Sequence, residues 1–330
     1  IDPLAKNIDL KPFLEFIADP KRIKVFHAAK QDLEIFYNLL GKVPAPVFDT
    51  QIAAMALGMG EQIGYAPLIQ KMFNINIDKG QQLTNWERRP LNDAQLAYAM
   101  DDVLHLRMAY KKILRELQKK GRESWLNEEN AKLHDPANIA PSIEDFWDEI
   151  RSRDRSPRTL TALRELAIWR ENMAQKFDRV RHFLIRDEAL ANIARARPTT
   201  DAQLENLRGI PLEFVKRYKN DILRICQEVE DLPERKLIQP EKRQSIPNID
   251  GEVKALATVY IRMKCESVGV NARLVCNTDE LSLFLGDKKA KVPLRTGWRY
   301  EHFGKDLELL QQGKLALTLD GRKMKTVVLK

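Results

Sequence analysis

The segment Ile23–Gly60, IKVFHAAKQDLEIFYNLLGKVPAPVFDTQIAAMALGMG, decides the fold class of the front of this chain. Ile23–His27 is a short β-type run. In Lys30–Leu40 the apolar residues Leu33, Phe36, Tyr37 and Leu40 share one helical face, and the pattern stops at Gly41, a residue suited to a left-handed C-terminal cap. Pro44 and Pro46 mark a turn, and Val47–Phe48 gives a second short strand. Asp49 can then accept from the free amides of a helix running to Met59 and closed by Gly60. Strand, helix, strand, helix makes an α/β domain. Upstream, Pro12–Ala18 reads as a helix with Asp9 as its candidate cap.

Downstream of this segment the clearest element is a helix after Pro90. Asn92 and Gln95 have the spacing of a capping box, with Leu91 and Leu96 at the two staple positions. The helix is expected to reach about Leu117, and its expected core stripe is Leu96, Ala99, Val103, Leu106 and Tyr110. Pro136, Pro141 and Pro157, with the Arg-rich RSRDRSPR at 151–158, mark a linker. Thr159–Val229 is helical in pattern, broken at Pro198 and at RGIP (Arg208–Pro211). A second linker, Pro233–Pro247, precedes another mostly helical unit, and Asp320-Gly321 between two apolar runs signals a hairpin.

Composition narrows the function classes. The 330 residues are 44% hydrophobic and 31% charged, with net charge +8. Residues 1–150 carry 19 basic and 22 acidic side chains, 151–230 carry 17 and 12, and 231–330 carry 19 and 13. An acidic front with basic rear segments suggests acidic chemistry in front and polyanion holding behind. The longest nearly uncharged apolar run, near Ile52–Met59, is far short of the roughly 18 residues of a membrane span. With no basic-then-apolar leader at the start, a cytoplasmic protein is expected. Cys226, Cys265 and Cys276 form no C-x-x-C pair, which argues against a disulfide scaffold or thiolate zinc site.

No P-loop is present. Gly58, Gly60 and Gly64 are spaced one residue too long for a dinucleotide fingerprint and follow a helix, so they read as cap and loop. His27, His105, His134, His182 and His302 form no H-E-x-x-H. Carboxylates remain. On the helix from Asn92, Asp102 falls at the edge of the expected apolar stripe and Asp101 nearly opposite it, with Tyr98 one turn before Asp102 on the same flank. Asp32 borders the stripe of its own helix in the same way.

VFHAAKQDLEIF (Val25–Phe36), VFDTQIAA (Val47–Ala54), NWERRPL (Asn85–Leu91) and YAMDDV (Tyr98–Val103) together resemble ribonuclease D. The resemblance extends through the Arg-rich helical region 151–230, similar to an HRDC domain. It continues into ARLVCNTDEL (Ala272–Leu281), GWRYEHFG (Gly297–Gly304) and GKLAL (Gly313–Leu317), similar to the family's second, HRDC-like domain. It implies an α/β ribonuclease H-like exonuclease domain at 1–135, a linker at 136–155, an HRDC domain at 156–232 and a second HRDC-like domain at 240–330. It further implies that Asp32 and Asp102 are metal ligands and that Tyr98 places the attacking water. Two divalent cations, Mg²⁺ or Mn²⁺, would serve the site, because hard cations take carboxylate oxygens. The family's first motif, D-x-E on the opening strand, has no counterpart here. The chain starts at Ile1, so the first strands are expected to be missing, and this piece alone is expected to cut poorly.

The activity implied is 3′→5′ trimming of precursor transfer RNA with release of nucleoside 5′-monophosphates. The alternatives are a nucleic-acid-binding module without catalysis, and a DNA-directed exonuclease. Arg88, Arg89, Arg151, Arg153, Arg155 and Arg158 are candidate RNA contacts, since guanidinium groups suit phosphate. Trp86 is a candidate support for the cleft, and Lys79, Gln81 and Gln82 are candidates for approaching substrate. Asp49, His27 and His105 read as structural.

Overall fold

A computed structural model describes residues 1–140, 147, 150–240 and 246–329. At the front, β1 (Lys24–Phe26) and β2 (Val47–Asp49) pair in parallel, Val25 opposite Phe48. Helix α1 (Lys11–Ala18) precedes them and α2 (Lys30–Leu40) crosses between them, ending at Gly41 with φ +67°. This is the βαβ unit expected from the opening segment. Asp9 forms a local turn by accepting from the Lys11 amide at 2.9 Å, while α1 itself has no side-chain cap.

Asp49 closes the unit. It accepts from Gln51 N at the start of α3 (Thr50–Ala56), and from Ala28 N and Ala29 N at the start of α2, at 2.8–3.1 Å. One buried carboxylate thus satisfies free amides of two helices.

Helices α4 (Tyr65–Phe73) and α5 (Asp93–Lys119) follow. Both halves of the Asn92/Gln95 capping box form. The expected core stripe of α5 needs correction. Ala109, Ile113 and Leu117 in its second half are fully buried, and of the expected stripe Leu96, Ala99 and Val103 are exposed, Val103 by 64%, while Leu106 and Tyr110 are half-buried. A 27-residue helix is about 40 Å long. Among the described residues the sheet beside it has two strands, too narrow to cover that length.

Past α5, α6 (Asn127–His134) and α7 (Pro136–Ile139) return to the sheet, where the Val47 amide donates to His134 Nε2 at 3.1 Å. Part of the expected linker, residues 141–146, 148 and 149, lies outside the described residues. The chain divides into two units, one made of Ile1–Ile139 with Ser245–Lys330 and the other of Ala140–Gln244.

In the first unit, α13 (Gly251–Val268), α14 (Ala272–Val275), α15 (Thr278–Gly286), α16 (Gly297–Arg299) and α17 (Lys305–Gln311) share one core with the front segment: Leu68, Ile113 and Trp125 join Tyr260, Phe284 and Phe303. Trp125 and Trp298 stack at 4.1 Å with rings 3° from parallel. Gly58 abuts Gly269 so closely that a Cβ would stand 2.9 Å from the Gly269 carbonyl, and its φ of +69° also favours glycine. Arg122, 8% exposed, reaches across this contact and donates to the carbonyls of Ala56 and Gly269, each at 2.8 Å, and of Val268. Its guanidinium lies 4.6 Å from the Trp125 ring. The Asp320-Gly321 signal gives the hairpin β3 (Leu315–Asp320) and β4 (Lys323–Val328).

The second unit holds α8 (Pro157–Lys176), α9 (Arg181–Leu184), α10 (Asp187–Ala196), α11 (Asp201–Glu205) and α12 (Leu212–Glu230). The breaks at Pro198 and at Arg208–Pro211 fall where the sequence puts them. Leu163, Leu166, Ile193, Leu204, Ile222 and Ile225 are among its core residues.

Candidate active site

The front segment carries a cleft of about 600 Å³ lined by fifteen residues, among them Asp32, Tyr65, Lys79, Gln82, Tyr98 and Asp102. Asp32 comes from the first turn of α2, and Tyr98 and Asp102 from successive turns of α5. Residues 66 positions apart in the chain therefore share one cavity, as the sequence expects.

The capping box does more than start α5. Gln95 is buried, and its Nε2 donates to Thr84 Oγ1 at 3.1 Å and to Asn85 O at 3.2 Å. This holds the 84–89 loop in place, and Trp86 of that loop packs against Tyr98 with ring centroids 5.9 Å apart. Trp86 thus packs on a residue of the cleft wall, in line with the supporting role the sequence suggests.

Tyr65 is a cleft residue that the sequence reading passed over. Its hydroxyl lies 2.9 Å from the Asp101 carbonyl and 2.8 Å from that of Asp102, so the phenol grips the α5 turn that bears Asp102. Only the tertiary contact between α4 and α5 reveals this. Burial, and then the charge of Asp102, push the Tyr65 hydroxyl well above its ordinary pKa.

The two carboxylates are electrostatically uncomfortable. Burial raises the Asp32 pKa above its usual value, and Asp49 raises it further. Asp102 is raised by burial and by Asp101, against a small opposing effect of His105. Neither carboxylate has an ion-pair partner among the described residues. Half-desolvated acids without a counter-charge gain most from a cation brought into the cleft. Tyr98 is raised by burial and by Asp102, so its phenol stays protonated at neutral pH and can donate. Among the described residues no cluster of three or more acidic, histidine or cysteine side chains could hold a metal. The cleft offers the two carboxylates.

His27 is held in place by its neighbours: Nδ1 lies 3.0 Å from Thr50 Oγ1 and Nε2 2.9 Å from the Ile63 carbonyl, and burial lowers its pKa. Asp49 is the structural cap described above. The candidate RNA contacts divide by what they already hold. Arg89 donates to the Asp2 carboxylate and to the carbonyls of Trp86 and Arg88. Arg158 donates to the Val229 and Glu230 carbonyls at the end of α12. Arg88, Arg151 and Arg153 are exposed, and Arg155 is half-buried. No helix among the described residues is long and apolar enough to cross a membrane.

Residues 1–118 match a 3′–5′ exonuclease domain family, and residues 159–226 match the HRDC domain family. Ribonuclease D of Gluconacetobacter diazotrophicus is 37% identical over 99% of this chain and 84% of its own length. Ribonuclease D of Sphingobium indicum is 38% identical over 98% and 84%. The crystal structure of Escherichia coli RNase D, described as an exoribonuclease involved in structured RNA processing, superposes with a TM-score of 0.73 at 27% identity, covering 93% of this chain and 83% of that one. With a ribonuclease H-like exonuclease domain followed by an HRDC domain, the chain belongs to the ribonuclease D family of hydrolytic 3′–5′ exoribonucleases.

Proposed function

We propose that the chain trims the 3′ ends of precursor transfer RNAs, releasing nucleoside 5′-monophosphates, in the cytoplasm. The observation that carries this reading is the convergence of Asp32, Tyr98 and Asp102 on one cleft. Asp32 and Asp102 hold divalent metal, Mg²⁺ or Mn²⁺, two ions in a complete site. The donor chemistry fits: both groups are hard oxygen donors, desolvated and without a protein counter-ion. Bound there, the cations supply charge neutralisation at the phosphate and a water of lowered pKa. Tyr98 acts as a protonated phenol that donates to the attacking water and aims it, with Trp86 keeping its ring in place. Tyr65 holds the turn that presents Asp102. Lys79, on the cleft wall, offers a cation to a phosphate oxygen.

Arg88, Arg151, Arg153 and Arg155 contact RNA phosphates. Arg89 and Arg158 belong to the same set but carry less of the binding, because their guanidinium groups already serve the protein. The division into an exonuclease domain at 1–135, a linker at 136–155, an HRDC domain at 156–232 and a second HRDC-like domain at 240–330 is retained as part of this reading.

These 330 residues supply two of the four acidic ligands the family uses, so on their own they bind RNA better than they cut it. The test is stepwise trimming of 3′-labelled precursor transfer RNA with and without Mg²⁺, by the chain alone and with a D-x-E strand supplied in front. Strong trimming only in the extended form is expected, and equal activity of both refutes the ligand count. In the extended form Asp102→Asn should lower cleavage at least about 100-fold and leave RNA affinity within about twofold, since it removes charge from the reacting centre and not from the binding surface. A matching loss of affinity would make Asp102 a structural residue.

A further inference from the structure

In the hairpin of β3 and β4 one strand is seated and the other is bare. Leu315 is buried in the core of the first unit and Leu317 packs against that core, so β3 is anchored. All six residues of β4 are exposed, and among the described residues β4 pairs with no strand but β3.

The register sets which main-chain groups are free. In an antiparallel pair, successive residues turn their N–H and C=O alternately toward the partner strand and away from it. The Leu329 amide donates to the Lys314 carbonyl at 2.9 Å, so Lys323, Lys325 and Val327 share its inward phase. Met324, Thr326 and Val328 therefore present their amides and carbonyls along the outer edge. Such a row is a template for another strand.

The two faces of β4 differ in chemistry. Met324, Thr326 and Val328 lie on the face of Leu315 and Leu317, and Lys323, Lys325 and Val327 on the other. The first face is bare beyond its anchor: Leu319 is 70% exposed and Val328 72%. Residues 314–329 carry four cations and one acid. Arg322 and Lys323 have no carboxylate partner among the described residues. Lys325 pairs with Asp320 at 3.1 Å, an exposed ion pair that exchanges at little cost.

These charges choose the occupant. Two copies joined edge to edge would bring Arg322, Lys323 and Lys325 of each against those of the other, and like charges facing across strands are destabilising. Lysine on an edge guards against such pairing. The same lysines attract a strand that carries carboxylates. Nucleic acid would answer the cations but leave the alternating amides and carbonyls without a matching ladder.

We propose that β4 accepts an acidic segment of another protein as a third, antiparallel strand of this sheet. Its carboxylates stand beside Lys323 and Lys325, and its apolar side chains beside Met324 and Val328. The segment therefore alternates acidic and apolar residues. This site is independent of the cleft and of what the chain cuts.

The test is fluorescence anisotropy of the whole chain with a labelled, end-blocked peptide of alternating glutamate and valine, seven residues long. Saturable binding is expected. The same peptide methylated on its valine nitrogens cannot donate to the β4 carbonyls and should bind at least about tenfold more weakly. Thr326→Pro removes an outward amide and no bond to β3, and should weaken the unmethylated peptide at least about tenfold. The double variant Lys323→Glu with Lys325→Glu should lose this peptide and bind one with lysine in place of glutamate, a gain that an unfolded hairpin would not give. The proposal is overturned if the unaltered chain does not bind the glutamate peptide. It is overturned too if Thr326→Pro binds that peptide as tightly as the unaltered chain, which reduces the contact to charge and leaves a polyanion such as RNA as the ligand. A dimer of the unaltered chain in sedimentation that Thr326→Pro makes monomeric would also overturn it, in favour of a second copy.

Discussion

Replacing Arg122 by Met should loosen the attachment of the rear helices to the exonuclease segment. Methionine keeps the apolar stem against Trp125 but removes the guanidinium, which reaches three carbonyls, Ala56 on one side and Val268 and Gly269 on the other. Hydrogen bonds from a charged donor contribute about 1.5–3 kcal/mol each, and buried carbonyls left without a donor cost a similar amount. Against this stands the desolvation of the guanidinium, visible as an Arg122 pKa lowered by burial, which the variant relieves. The net loss should be about 3–5 kcal/mol.

A control lies in the same contact. Arg273 pairs with Glu61 at 3.0 Å, also joining rear to front, but both side chains are more than half exposed. Arg273→Ala should therefore cost under about 1 kcal/mol. Urea unfolding gives the stability, and native-state hydrogen exchange locates it: protection should fall in peptides from α3 and α13 and hold in those from α8 and α12. The reasoning is refuted if Arg122→Met stays within about 1 kcal/mol of the unaltered chain, or if Arg273→Ala matches it.

Tyr65→Phe removes the hydroxyl from the Asp101 and Asp102 carbonyls; it should cost about 1 kcal/mol and speed amide exchange through the turn following Asp102, measured by mass spectrometry. Asp306 accepts from Tyr260 Oη at 2.6 Å and from Lys264 Nζ at 2.9 Å. Burial alone would raise its pKa, but these two partners outweigh it and leave the pKa below the ordinary carboxylate value. A depressed carboxylate stabilises the fold above its unfolded pKa and loses that contribution as acid protonates it. Asp306→Asn should thus lower the urea midpoint at pH 7, and the gap should close in acid, below the usual carboxylate range. Burial pushes the thiols of Cys226, Cys265 and Cys276 up to about 12, so the folded chain should show essentially no fast thiol toward iodoacetamide at pH 8, and three thiols once unfolded in urea.

Local signals in the sequence carried the elements they govern. Gly41, Asp49 as the cap of α3 and the Asn92/Gln95 box each act within a few residues, and each sits where the spacing puts it; the reach of Asp49 to the start of α2 was not legible. That Asp32, Tyr98 and Asp102 share one cleft was legible because the family motifs name them together, and helical spacing already set them at the edge of apolar stripes. The first half of α5 misled because an apolar stripe states what a helix can bury, while the neighbours decide what it does bury. Helix α4 gave little sign of itself: Gly64, which precedes it, has no side chain to cap it, and Pro67 lies near its start. Arg122 and Tyr65 were illegible for a different reason. Each bonds to backbone carbonyls far away in sequence, and a carbonyl has no residue identity to read.

The first unit is discontinuous in sequence, and that orders events during synthesis. The apolar wall around Met55, Leu57 and Trp125 belongs to a core that residues beyond Ser245 complete. While the ribosome is still making those residues, the wall faces solvent and is open to wrong partners. Ala140–Gln244 is one uninterrupted stretch with its own core, so it can close soon after it emerges. The middle of the polypeptide is then finished before the beginning, and the exonuclease segment waits longest for the contacts that complete it.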